Sequence, residues 1–215
     1  MSGMILTQIT QALAPHGLMV MGHAPDPDDA ARTVVLVGAD AGCWQVFTAA
    51  PEYSDALPNP LDRWSKRIIG ALAAQCDGSC VFPSDGPPYA PFIAWAMASG
   101  RFWQSPTGMM VHDCAGLMIS LRGAIFLPER LPSGAQGTNP CDSCADRPCV
   151  TACPVDALSD QHFYDVPACK THIASPHGAP CMRMGCATRL ACPVSKSFDR
   201  PAAQSAFHMR SFRGA

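Results

Sequence analysis

The stretch CDSCADRPCVTACP, Cys141 to Pro154, spaces its cysteines as Cys141-x2-Cys144-x4-Cys149-x3-Cys153-Pro154. The bacterial ferredoxin run is C-x2-C-x2-C-x3-C-P, in which three cysteines bind one iron–sulfur cluster and the fourth binds another. Here the middle gap is longer and contains Arg147-Pro148. A second group follows, Cys169 and then Cys181-x4-Cys186-x5-Cys192-Pro193, with stretched gaps and the same Cys-Pro ending. Eight of the chain's twelve cysteines fall in these two groups.

The spacing has a geometric reason. A cubane cluster presents irons at tetrahedral corners and takes four thiolates. Cysteines on one tight loop reach neighbouring irons, and the fourth ligand comes from distant sequence. The proline after the last cysteine fixes φ and turns the chain away. The pseudo-repeat suggests a crossed pairing, with Cys141, Cys144, Cys149 and Cys192 around one [4Fe–4S] cluster and Cys153, Cys169, Cys181 and Cys186 around the other. Crossing sets the two side by side, which suits electron passage between them. The plainer alternative is zinc held by four thiolates at each site, in a zinc-stabilised interaction module. Zinc knuckles use paired short-gap cysteines. Two Cys-Pro endings and the long gap from Cys169 to Cys181 favour iron–sulfur.

Apolar residues make up 48% of the chain and charged residues 15%, which permits a buried core and argues against disorder. A net charge of −2 and a pI near 6.3 give no basic excess, so nucleic acid is not an expected partner. No apolar run approaches the length of a membrane span. The start, MSGMILTQIT, lacks the basic residues and long apolar stretch of a signal peptide. The expected location is cytoplasmic, where so many cysteines point to metal or redox chemistry rather than disulfides.

The segment LPSGAQGTNP, residues 131–140, reads as a linker. The expected division is an α+β domain over 1–134, a two-cluster domain over 135–198 and a polar, poorly ordered tail over 199–215. In the first part, 4–14 has helical spacing, and 17–21 and 33–37 are short apolar runs expected as buried strands. Asn59-Pro60 should open a helix reaching about Gln75. Residues 80–82 read as a strand, and 91–99 as a helix ended by Gly100. Residues 107–112 and 117–127 read as two strands joined by the turn at 113–116. The cysteine-rich part shows little periodicity. It has few large apolar side chains, so bound clusters would replace a core.

With these residues in view, the chain resembles the epoxyqueuosine reductase and reductive dehalogenase group. Its members join a nitroreductase-like, cobalamin-binding domain to a two-cluster ferredoxin domain. The first cysteine group, the lone Cys169 and the later group ending in Cys192-Pro193 follow that order, and the crossed pairing agrees with the family arrangement. Upstream, Ser84-Asp85-Gly86-Pro87-Pro88 before an Ala-rich helix looks like the family's acidic segment. Gly100, Trp103, residues 108–112 and the run Leu117 to Gly123 look like its following hairpin. The likeness covers about residues 80–194. The family's Gly-Leu-Gly-Trp is Gly100-Arg101-Phe102-Trp103 here, and 215 residues leave no room for a tRNA-grasping helical repeat, which argues against epoxyqueuosine reductase itself.

The resemblance implies a nitroreductase-like domain before a ferredoxin-like one, with the clusters reducing a corrinoid (cobalamin). It makes Asp85 a candidate catalytic acid; the plainer reading is a turn aspartate bonding its own backbone. His112, at a strand end, is a candidate cofactor-binding residue beside the plainer reading of a polar strand end. Cys43, Cys76, Cys80 and Cys114 read as thiols outside the clusters. Lys170, Arg183 and Arg189 would soften cluster charge. Three functions are weighed: an iron–sulfur oxidoreductase acting on a corrinoid or small-molecule substrate, a stand-alone ferredoxin-type carrier docking a redox partner protein, and the zinc module. A flavin has no clear phosphate-binding signature.

Overall fold

The computed structural model describes residues 2–162 and 164–214. The chain is α+β, and its residues group into two compact units. One takes the chain up to Arg101 together with Ser120–Gly137; the other takes Phe102–Ile119 and the residues from Thr138 onward.

The first unit begins with α1 (Ser2–Leu13), which buries Ile9 and Leu13, followed by β1 (Leu18–Pro25) and β2 (Thr33–Ala39). The short helices α2 (Cys43–Thr48) and α3 (Pro51–Ser54) precede the long α4 (Pro60–Gln75). Then come β3 (Ser79–Val81), α5 (Phe92–Ala98) and, after the excursion into the second unit, β6 (Leu121–Leu127). The antiparallel sheet runs β1-β2-β6-β3. Every residue of β2 is buried, as expected of a central strand whose two faces are both covered. Helix α4 lays Trp64, Ile68, Ile69 and Leu72 inward, apolar positions at helical spacing. Pro60 sits in its first turn, and Asn59 precedes it in a left-handed conformation without a side-chain capping bond. Helix α3 is tied to α4 by Arg67 Nε on Glu52 Oε1 at 2.5 Å and by Arg63 on Asp55 at 2.6 Å.

The second unit holds β4 (Phe102–Gln104) and β5 (Met110–His112), paired antiparallel. After an irregular stretch come α6 (Val166–Ala174), α7 (Ala179–Met184), α8 (Ala187–Ala191), α9 (Pro193–Phe198) and α10 (Ala202–Arg213). Asp165 caps α6, its carboxylate accepting the Ala168 N–H at 2.9 Å, with Pro167 in the first turn.

Three expectations need correction. Residues 107–112 and 117–127 are not partners in one hairpin: β5 pairs with β4, while β6 joins β2 and β3 in the other unit. The division is therefore not a single break at 134/135, since 102–119 group with the cysteines and the change-over falls at Gly137. The stretch after 199 is helical rather than a loose tail, and α10 buries Gln204, Ser205 and Ala206. Among the described residues no helix is long and apolar enough to cross a membrane.

Candidate functional site

Four cysteines, Cys141, Cys144, Cys149 and Cys192, line one cavity of about 180 Å³ in the second unit. Local structure puts them there. Asn139 Oδ1 accepts the Cys141 N–H at 3.1 Å, and the Cys144 N–H donates to the Cys141 carbonyl at 3.3 Å, closing a tight turn. Arg147 takes a positive φ of 39° and lets the inserted Arg147-Pro148 bend back before Cys149. Cys192 enters from distant sequence at the start of α9, and Pro193 carries the chain away.

The wall behind these sulfurs is apolar. Val111 and Leu117 pack with Cys149 and Cys192, and Trp103, Met109 and Val194 close around them. The turn after β5 is held against α9: the Leu117 N–H donates to Ser195 Oγ at 2.8 Å, and Arg189 donates to the Leu117 carbonyl. Gly116 is required there, because its φ is +57° and a Cβ would lie 2.5 Å from the Ser195 nitrogen. Burial pushes the Cys141 thiol up, and the charges of Cys149, Cys192 and Cys144 add to it. Cys149 is raised by burial and then by Cys192, with Cys144 adding a smaller push.

The other four cysteines form a second neighbourhood. Burial raises the Cys169 thiol, and Cys186 and Cys153 raise it further. Cys181 is likewise raised by burial and then, against a backbone N–H from Ala187, by Cys186, Cys153 and Cys169. The Ala157 N–H donates to Cys153 Sγ at 3.2 Å. The cysteines that act on Cys141 and Cys149 are thus Cys144, Cys149 and Cys192, and those that act on Cys169 and Cys181 are Cys153, Cys169 and Cys186.

Buried and half-buried thiols grouped in this way are poor isolated anions and good ligands for a cationic centre. Coordination deprotonates a thiol outright. The twelve cysteines form no disulfide. Among the described residues, no three of these eight sulfurs lie within 4.8 Å of one another. A zinc tetrathiolate with Zn–S near 2.3 Å would draw its sulfurs to about 3.8 Å apart. Four thiolates are a donor set that either a cubane or a zinc ion accepts.

The other candidates stand elsewhere. Asp85 lies in the first unit, ahead of the cis Gly86-Pro87 and Pro87-Pro88 bonds, with Lys66 Nζ at 2.5 Å from its Oδ1. His112 lies in the second unit, fully buried against Phe102, and its Nδ1 accepts the N–H groups of Cys114 at 3.3 Å and Ala115 at 3.2 Å. His112, Asp113 and Cys114 bring three potential ligand atoms within 4.8 Å of one another on this turn. Cys76 and Cys80 are raised by burial in the first unit. His162 sits 3.4 Å from Asp156.

Sequence reasoning passed over the Ala157 N–H that donates to Cys153, because a hydrogen bond to sulfur leaves no periodic signal. It also passed over Val111 and Leu117, which lie far from the cysteines in sequence. No family model matches the chain, and no curated protein matches it.

Proposed function

We propose that the protein is an iron–sulfur electron-transfer protein, with one [4Fe–4S] cluster held by Cys141, Cys144, Cys149 and Cys192 and a second by Cys153, Cys169, Cys181 and Cys186. The observation that carries this reading is the one cavity that Cys141, Cys144, Cys149 and Cys192 line together. It coincides with the crossed pairing that the motif suggests.

A bound cluster supplies reversible one-electron transfer. The chain's own contribution is to set the environment of the thiolates. Apolar side chains screen the first set from water, and the Ala157 N–H reaches the Cys153 sulfur of the second, both of which would act on cluster potential. Cys149 and Cys153 serve different sets and are separated by only three residues, so their Cα atoms lie within about 14 Å. That keeps the two sets close enough for an electron to pass between them. In this reading the second unit is ferredoxin-like. A nitroreductase-like first unit with a corrinoid as electron acceptor is the extension that the resemblance supports.

Anaerobic purification with iron, sulfide and zinc counting and an absorption spectrum tests this. The expected result is a brown protein with iron and acid-labile sulfide in equal amounts, bleached by dithionite. A colourless protein with stoichiometric zinc would overturn it. The same spectrum, taken after incubation with cobalamin, shows whether a corrinoid is retained.

A further inference from the structure

We propose that the turn after β5 is a separate metal site, in which His112 Nδ1, Asp113 Oδ1 and Cys114 Sγ bind one divalent cation of the zinc type. The site shares no ligand with the eight grouped cysteines, so it stands whether or not those hold iron.

The three ligand atoms lie close to three corners of a tetrahedron. His112 Nδ1 is 3.2 Å from Asp113 Oδ1 and 3.3 Å from Cys114 Sγ. All three atoms fall within 4.8 Å of one another. A tetrahedral zinc ion sets a nitrogen and an oxygen ligand about 3.4 Å apart, and a nitrogen and a sulfur about 3.6 Å apart. Both measured edges are slightly shorter, so a small outward movement of the exposed Cys114 side chain admits the ion. The turn itself is fixed at both ends. The His112 N–H donates to the Gly116 carbonyl at 2.9 Å, and the Gly116 N–H returns to the His112 carbonyl at 3.0 Å. On the inner side the buried imidazole packs edge-on against Phe102, with ring centroids 4.6 Å apart.

The imidazole is presented in the form a cation needs. Its Nδ1 accepts the N–H groups of Cys114 at 3.3 Å and Ala115 at 3.2 Å, so that nitrogen carries a lone pair and no proton. Both bonds are long and share the one lone pair, so a metal–nitrogen bond replaces them at small cost. The donor set selects the ion. Thiolate with imidazole suits zinc, whereas magnesium and calcium take oxygen ligands. His112 is buried and Cys114 exposed, so the ion enters from solvent and keeps a fourth position for water. The Cys114 thiol gives its proton to solvent as the metal–sulfur bond forms.

The experiment titrates the full-length protein, purified without oxygen and with its native metals in place, with Co(II) as a coloured substitute for zinc. Metal counting and an absorption spectrum follow desalting. Wild type is expected to retain added cobalt and to show a thiolate-to-cobalt charge-transfer band. Cys114→Ser changes an exposed side chain. It is expected to lose one cobalt per chain and that cobalt's charge-transfer band, with iron content at the wild-type level. Asp113→Asn should keep the band and bind this cobalt about tenfold or more weakly. Wild type that retains no cobalt, or Cys114→Ser that retains as much as wild type with the same band, would overturn the inference. Neither result touches the iron–sulfur reading, whose failure shows separately as a protein without iron.

Discussion

The two units are held together by different means. The first buries an unbroken apolar strand, Val34 to Val37, between helices and neighbouring strands, and its large side chains Trp64, Phe47, Ile69 and Leu36 are fully enclosed. The second has a thin apolar lining around sulfur, with Val111 and Leu117 as its best-buried aliphatic side chains next to Cys149 and Cys192. Its helices α7, α8 and α9 are short, and three of its cysteines, Cys181, Cys186 and Cys192, sit in or beside them. A sheet core carries its stability in side-chain burial. In the proposed reading the cysteine unit draws part of its stability from the clusters that its thiolates hold.

The largest expected effect follows from that contrast. Removing iron with a chelator under reducing conditions should collapse hydrogen-exchange protection in α6 to α10 and leave β1, β2 and β6 protected. Equal loss in both units would break the contrast. Next in size, Cys192→Ser should remove about half of the iron and spare the second set, since the two clusters have separate ligands. Elemental analysis and spin quantitation read this directly. Loss of all the iron would mean that the sets do not load independently.

Leu36→Ala opens a void in the first unit's core and should cost about 2–5 kcal/mol in denaturant unfolding of that unit, with iron content unchanged. The smallest effect is electrostatic. A hydrogen bond from Arg67 holds the Glu52 carboxyl below its ordinary value of 4.5. Its contribution is therefore complete above that value and is lost as pH falls through the lower native one. Glu52→Gln should lower the first unit's stability at neutral pH, and its difference from wild type should shrink as pH falls below 4.5, which makes its acid melting less steep.

The same contrast governs what could be read in advance. The first unit was legible because burial writes itself as periodicity. The apolar run 33–37 became β2, and Asn59-Pro60 with its spaced apolar residues became α4. The reading failed where an apolar run serves tertiary contact. Leu117 and Met118 look like the start of a strand, yet the Leu117 N–H is taken by Ser195 and Arg200 donates to the Met118 carbonyl. Strand β5 therefore pairs back on β4. Helix α10 was missed because its buried positions include Gln204 and Ser205, which carry no apolar signature. The proposed grouping of eight cysteines comes from their spacing, since ligand geometry constrains sequence gaps.

Anomalous scattering at the iron edge from crystals grown without oxygen is the most direct test of the central claim. The account predicts two separate iron groups, one bonded to Cys141, Cys144, Cys149 and Cys192 and the other to Cys153, Cys169, Cys181 and Cys186. Zinc at these sulfurs, or one iron group drawing thiolates from both sets, would contradict it.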